Sequence, residues 1–112
     1  MQFQAFSLTE VLAALPTPDS GGRRYVEPFT RGRVRLGLYA PDPVDLQQPH
    51  TQDEFYIVVR GSAVLVQETA RAPCAAGDAL FVAAGQVHRF EELSPDFAAW
   101  VVFFDAPGDT PG

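Results

Sequence analysis

Lysine is absent from this chain: all eight basic residues are arginine. Without a lysine amine there is no Schiff-base chemistry, no lysine-anchored pyridoxal cofactor and no phosphate loop of the Walker type. Cysteine is nearly absent as well. Cys74 stands alone, which excludes an intramolecular disulfide and any cysteine-rich zinc site. Positive charge is scarce: the formal net charge is −6 and the pI about 4.6, the reverse of the basic stripe that a nucleic-acid surface needs. Nucleic acid is therefore not an expected partner. No apolar run approaches the roughly 18 residues of a membrane span, and the N-terminus lacks the basic flank and apolar core of a signal peptide. These absences lead us to expect a cytoplasmic protein with no membrane partner. Histidine is limited to two positions, His50 and His88.

What is present is an ordinary globular composition, 46% hydrophobic and 20% charged over 112 residues. That length suits one domain, which we divide into an N-terminal helix and linker (1–24), a β barrel (25–105) and a loose tail (106–112). Residues 7–15 read as a helix: Ser7 can cap, Glu10 completes a capping box, and Leu8, Val11, Leu12 and Leu15 share a face before Pro16 ends it. A linker at 17–22, rich in Pro, Asp, Ser and Gly, is expected to be exposed and mobile. Residues 25–30 make an edge strand interrupted by Pro28. In 33–40, Val34, Leu36, Leu38 and Ala40 alternate with Arg33, Arg35, Gly37 and Tyr39, the pattern of a half-buried strand. Strands over 55–59 and 62–68 flank Arg60-Gly61 like a hairpin, and 69–73 reads as a turn. Further strands are expected at 79–82, 87–92 and 97–104, the last apolar on both faces. Many short strands separated by turns indicate an all-β sandwich or barrel.

The chemistry concentrates in two stretches. Gln48, His50 and Glu54 are three potential metal ligands within one short segment, and His88 is the fourth. On a straight strand His50 and Glu54 would lie roughly 13 Å apart, too far to share an ion. Pro49 and the β-branched and aromatic run at 55–59 argue against a helix. A hairpin turning at 51–53 would set the two residues about 5 Å apart, with Gln48 on the His50 side. His50, His88 and Glu54 then form a two-histidine, one-carboxylate site with open coordination positions, and Gln48 can add an amide oxygen.

These stretches resemble the two motifs of the cupin superfamily. The first reads Gln48-x-His50, three residues, Glu54, six residues, Gly61; the second reads Gly77, five residues, Ala83-Ala84-Gly85, two residues, His88, three residues, Glu92. Gln48 stands where the family's first motif begins with His, Ala83 where the second has Pro, and Glu92 where it ends in Asn. The stretch 48–63 is also similar to the Gln-x-His segment of phosphomannose isomerases. The resemblance, to small single-domain conserved-barrel members, implies a double-stranded β-helix (jelly-roll) barrel and a homodimer. It also implies a divalent metal held by Gln48, His50, Glu54 and His88. Zinc leads the candidates, with manganese, iron and nickel behind it. An enzyme of isomerase, lyase or dioxygenase type acting on a small polar metabolite, with Glu54 moving protons, is one reading. A non-catalytic small-ligand binder or sensor is the other.

Strand parity places Tyr56 and Val58 on the Glu54 side and Phe90 on the His88 side, so they can wall a substrate pocket or simply form core. Trp100 and Phe104 are further pocket candidates on the last strand, and Tyr39 another on the strand at 33–40. Arg33 and Arg35, opposite the apolar face of their strand, are expected at the surface. Asp53 reads as a turn residue or a pocket residue. Cys74 has no base placed beside it, and Ser7, Ser20, Ser62 and Ser94 sit in caps and turns with no nucleophile-elbow pattern. Glu91 and Glu92 point to opposite faces of a strand and do not form an acid–base pair.

Overall fold

The computed structural model describes residues 2–105; the tail expected at 106–112 lies outside the described residues. One helix, α1 (Leu8–Ala13), precedes eight strands: β1 (Tyr25–Arg31), β2 (Val34–Tyr39), β3 (Asp53–Arg60), β4 (Ser62–Gln67), β5 (Ala70–Ala75), β6 (Ala79–Val82), β7 (Arg89–Glu91) and β8 (Ala98–Phe104). They form two antiparallel sheets, five strands in the order β1-β2-β8-β3-β6 and three in the order β5-β4-β7. Tyr56, Val58, Val82 and Val101 from the first sheet meet Ala63, Leu65, Cys74 and Phe90 from the second in one buried cluster. This is the jelly-roll arrangement that the sequence led us to expect.

The chain changes sheet four times, at β3–β4, β5–β6, β6–β7 and β7–β8, and the first of these departs from the hairpin expected. β3 and β4, flanking Gly61, belong to different sheets rather than pairing with each other. Gly61 takes a left-handed φ of 66°, and a Cβ there would lie 2.1 Å from Ser94 Oγ, so only glycine lets the chain turn this tightly against the 94–97 turn. The crossing between β6 and β7 carries His88. The turn expected at 69–73 is confined to Glu68 and Thr69; Pro73 sits within β5, an edge strand where its missing N–H costs no ladder bond.

Helix α1 forms as its sequence dictates. Ser7 Oγ accepts the Glu10 N–H at 3.3 Å, a cap worth about 1 kcal/mol, and Val11, Leu8, Leu12 and Leu15 bury against Leu38, Ala40, Ala98 and Trp100. The helix therefore covers the outer face of the larger sheet. This fixes the parity of β2: its apolar residue Leu38 points outward under the helix, while Arg35, Gly37 and Tyr39 point into the barrel. Gly37 is needed there because the Tyr25 ring lies across it, within 2.2 Å of where a Cβ would stand. β1 is an edge strand, as expected, with an irregularity between Val26 and Phe29 around Pro28.

Beyond the reach of α1, the outer face of the larger sheet stays open. Phe55, Ile57 and Phe81 are exposed there. Phe55 stacks on Phe104 with centroids 5.8 Å apart and tilts against Phe81 at 5.3 Å.

Candidate functional site

Residues 40–52 form no strand, so the hairpin expected around 51–53 does not exist. The segment is an irregular loop across one end of the barrel, and backbone and carboxylate bonds hold it in place. Asp45, 3% exposed, accepts a hydrogen bond from the Tyr39 hydroxyl. It also accepts from the Phe90 N–H at 2.7 Å, the Gln47 N–H at 3.1 Å and Gln47 Nε2 at 2.7 Å. One buried carboxylate thus ties the loop to β2 and β7 at once. At the loop's far end the two motifs are stitched together: Gly85 N–H donates to the His50 carbonyl at 2.7 Å, and Ala84 N–H to Asp53 Oδ1 at 2.8 Å. Asp53 therefore anchors the β6–β7 crossing, and His88 arrives beside His50.

Glu54, 1% exposed, lies between the two imidazoles. Its Oε1 is 3.4 Å from His50 Nε2 and its Oε2 is 3.0 Å from His88 Nε2. The Tyr56 hydroxyl lies 3.0 Å from His88 Nε2, 3.4 Å from each Glu54 oxygen and 3.1 Å from Gln47 Oε1. His50 Nε2 is also 3.3 Å from Gln47 Oε1. The tautomer of His88 follows from its other nitrogen. Nδ1 faces the Gln86 carbonyl at 2.9 Å, and a carbonyl only accepts, so Nδ1 carries a proton. In a neutral His88, Nε2 would then be a bare lone pair facing a carboxylate. Only a cation between them, a proton or a metal ion, makes that contact favourable.

The titration behaviour has the same origin. Burial works against charge on His88, but the Glu54 hydrogen bond, the Gln86 carbonyl and the Glu54 and Asp45 charges outweigh it and raise its pKa. Burial dominates at His50, which is held below the usual histidine range despite Glu54. Burial and the neighbouring Glu54 charge push Tyr56 well above the usual phenol range, so it is a hydrogen-bond donor and not a phenolate.

His50, Glu54 and Tyr56 line a cavity of about 460 Å³ together with Tyr25, Arg35, Tyr39, Gln47 and Phe103, with Arg23 and Gln48 among its outer residues. That volume suits a small metabolite. Of the residues singled out from sequence, His50, Glu54, His88, Tyr39 and Tyr56 come together. Gln48 is exposed; the amide that touches His50 and Tyr56 is that of Gln47, one position earlier. Two pocket candidates are corrected. Trp100 points outward and packs under α1, because Val101 and Phe103 take the inward positions of β8. Phe104 shares that outward parity. Phe90 is core, 1% exposed, with its ring 4.9 Å from Tyr56 and 4.8 Å from Phe97. Arg35, expected at the surface, lines the cavity, whereas Arg33 pairs with Asp105 outside it.

The donor chemistry suits a divalent ion: two imidazoles and two carboxylate oxygens face one another, and in neutral His88 the Nε2 lone pair is turned to Glu54 Oε2. The donors meet in pairs, however. The imidazole centroids are 6.2 Å apart, each ring approaches a different oxygen of Glu54, and among the described residues no three His, Cys, Asp or Glu side chains form a ready metal cage.

The fold and the paired motifs define a class, and comparison with known proteins agrees: the cupin domain family matches residues 36–104, and the chain belongs to it. An uncharacterized protein of Streptomyces coelicolor, SCO3923, is 35% identical over 102 residues, covering 89% of this chain and 94% of that one. Among solved structures, a cupin 2 conserved barrel domain protein from Salinispora arenicola is 22% identical with a TM-score of 0.68, covering 95% of this chain and 90% of that one. A putative mannose-6-phosphate isomerase from Ralstonia eutropha is 24% identical with a TM-score of 0.66, covering 86% and 95%. KdgF from a Halomonas species is 18% identical with a TM-score of 0.69, covering 80% and 84%. At these identities the structures attest the fold alone. No helix among the described residues is long and apolar enough to cross a membrane.

Proposed function

We propose that this chain is a metal-dependent enzyme that moves protons on a small polar metabolite, an isomerase or lyase, with His50, Glu54 and His88 as the metal ligands and zinc as the first candidate ahead of manganese, iron and nickel. One observation carries the reading: a fully buried carboxylate wedged between two imidazoles on the wall of a cavity open to small molecules. A bound divalent ion would supply polarisation of a substrate carbonyl or hydroxyl. The remaining work falls to the chain's own groups. The Tyr56 hydroxyl, held protonated by burial and by the Glu54 charge, can donate to a developing oxyanion. Glu54 is within reach of both rings and can take or return a proton. Gln47, fixed through Asp45, holds Tyr56 and His50 in place. Gln48, at the cavity's outer wall, is a ligand only if its side chain turns inward on metal loading.

A second reading, a non-catalytic binder of a small ligand, draws on the way Gln47, Glu54, Tyr56 and His88 already satisfy one another. Turnover separates the two. Purified protein loaded in turn with zinc, manganese, iron(II) or nickel is incubated with hydroxy-aldehydes, hydroxy-ketones and hydroxy-acids in deuterated water. Metal-dependent incorporation of deuterium at carbon supports the enzyme; binding without exchange or conversion supports the binder. Oxygen uptake under the same conditions would instead place the chemistry with the dioxygenases. We also carry a homodimer in the cytoplasm as part of this reading, supported by the open aromatic face of Phe55, Phe81 and Phe104; sedimentation equilibrium tests the stoichiometry.

A further inference from the structure

Two of the eight arginines of this acidic protein stand at the cavity, and neither is fully used by its neighbours. Arg35 is the better fixed. Its guanidinium carbon lies 4.1 Å above the Phe103 ring centroid. Nε donates to Gln52 Oε1 at 3.2 Å and Nη1 to Glu27 Oε1 at 3.0 Å. Gln52 is itself held by the Arg33 carbonyl at 2.6 Å, and Glu27 by the Tyr25 and Thr30 hydroxyls at 2.7 Å each. Among the described residues, Nη2 and one Nη1 proton have no partner, which leaves one end of a planar fork free. Phe103 carries Arg35 against its face and has His50 at 5.1 Å, ring edge to ring, so the free fork and the histidine centre are neighbours across one aromatic ring.

Arg23 is held differently. The segment expected to be a mobile linker is folded: Asp19 Oδ1 accepts the N–H groups of Gly21 and Arg23 at 2.9 Å each, and buried Gly22 packs where a Cβ would meet the Val44 carbonyl at 2.2 Å. This sets the Arg23 guanidinium 5.5 Å from the Tyr25 ring centroid. Among the described residues no carboxylate forms an ion pair with it. Around the cavity Glu54 faces the two histidines, Glu27 pairs with Arg35, and Asp19 Oδ1 is turned to backbone N–H groups, which leaves the Arg23 guanidinium open to a ligand.

We infer that Arg35 and Arg23 form a carboxylate subsite, and that the cavity takes a small organic monoacid whose carboxylate lies on the two guanidiniums while its hydroxyl or carbonyl end reaches His50, Glu54 and Tyr56. A planar carboxylate matches the one free edge of the Arg35 fork, and the Arg23 guanidinium stands beside it without an ion pair among the described residues. A phosphate dianion would bring a second negative charge into a cavity that Asp19 and Glu54 already line. This inference rests on the proposed reading of the cavity as a ligand site, and its failure is distinguishable from that of the metal.

The test is calorimetric titration of the full chain with matched probes, glycolate against ethylene glycol and galacturonate against galactose and galactose 1-phosphate, before and after chelation, with metal content measured throughout. The acids are expected to bind and their neutral partners not to. R35Q should weaken the acids at least about tenfold, and R23Q by a smaller factor, with metal content unchanged in both. R23Q guards against misfolding, because among the described residues the Arg23 guanidinium makes no hydrogen bond. Binding of acids by metal-free protein, lost in the arginine variants, would uphold the subsite while removing the metal from it. Equal binding of neutral partners, preference for galactose 1-phosphate over galacturonate, no binding of any probe, or indifference to both variants would each overturn it.

Discussion

His88 Nε2 lies 3.0 Å from Glu54 Oε2, and because the opposite nitrogen of the same ring is committed to the Gln86 carbonyl, this close contact is one that only a cation can make favourable. His50 is less constrained: its Nε2 has Glu54 Oε1 and Gln47 Oε1 as neighbours, and a neutral ring protonated there can donate to either. A site built around a buried carboxylate is sensitive to the charge at its centre. Glu54→Gln keeps the shape and removes that charge. The expected result is a loss of divalent-metal affinity of about 10-fold or more, the order found when single groups around a metal site are removed. Elemental analysis after equilibrium dialysis measures it, and unchanged metal content in the variant would defeat the assignment.

Without metal, the two histidines should titrate in separate steps. His88 is raised, since its bonds to Glu54 and Gln86 outweigh its burial; His50 is lowered, chiefly by burial. The stability contributed by charged His88 is present below its ordinary value of 6.5 and is lost as pH rises through its folded value. For His50 the sign reverses: charging it costs stability as pH falls below 6.5. Nitrogen-15 chemical shifts of the two rings in chelated protein should therefore show His88 losing its proton at the higher pH. The opposite order would mean that the Glu54 contact does not dominate.

Much of this was legible in the sequence because the motif residues are local. His50, Glu54, Gly61, Gly77 and His88 keep the spacing of two short stretches, and spacing survives without knowledge of the fold. What was illegible depends on which side of a strand is the inside. In β2 the alternation is clear, yet the apolar side faces a helix and the side bearing Arg35 and Tyr39 faces the cavity. A barrel with a polar cavity and an apolar exterior patch inverts the usual rule, and alternation alone carries no sign. The same inversion put Trp100 and Phe104 on the wrong side of β8. Gln47 and Asp45 were missed for another reason: they act from a loop without periodicity, and only the fold brings Asp45 to the Phe90 N–H, 45 positions away.

Asp45 offers the sharpest test of how the loop is held. Asp45→Ala would leave the buried Phe90 N–H and Tyr39 hydroxyl without their acceptor and release the Gln47 side chain. Removing a buried, multiply bonded carboxylate is expected to cost about 3–5 kcal/mol. Urea unfolding measures that loss. Asp45→Asn, which keeps one acceptor oxygen, should recover part of the stability but bind ligand more weakly, because its amide cannot accept from every partner at once. Equal stability of Asp45→Ala and the unaltered chain would show that the loop is held by something else.

Trp100 permits a different check, on the parity of β8 itself. It is the chain's single tryptophan and packs with Leu8, Leu12 and Leu15 over Leu38 and Ala98, on the far side of the sheet from Val101 and Phe103. Its fluorescence should therefore report the docking of α1 and stay nearly constant when the cavity fills. Leu12→Ala, which thins the cover over the indole, is expected to shift the emission to longer wavelength and to cost roughly 2 kcal/mol, toward the low end for a partly buried leucine. Trp100→Phe should leave ligand affinity intact, since the ring packs on the α1 side of the sheet and does not line the cavity. A ligand-induced emission change that survives in Leu12→Ala would place the indole at the cavity and reverse the strand's facing, and with it the inward positions given to Val101 and Phe103.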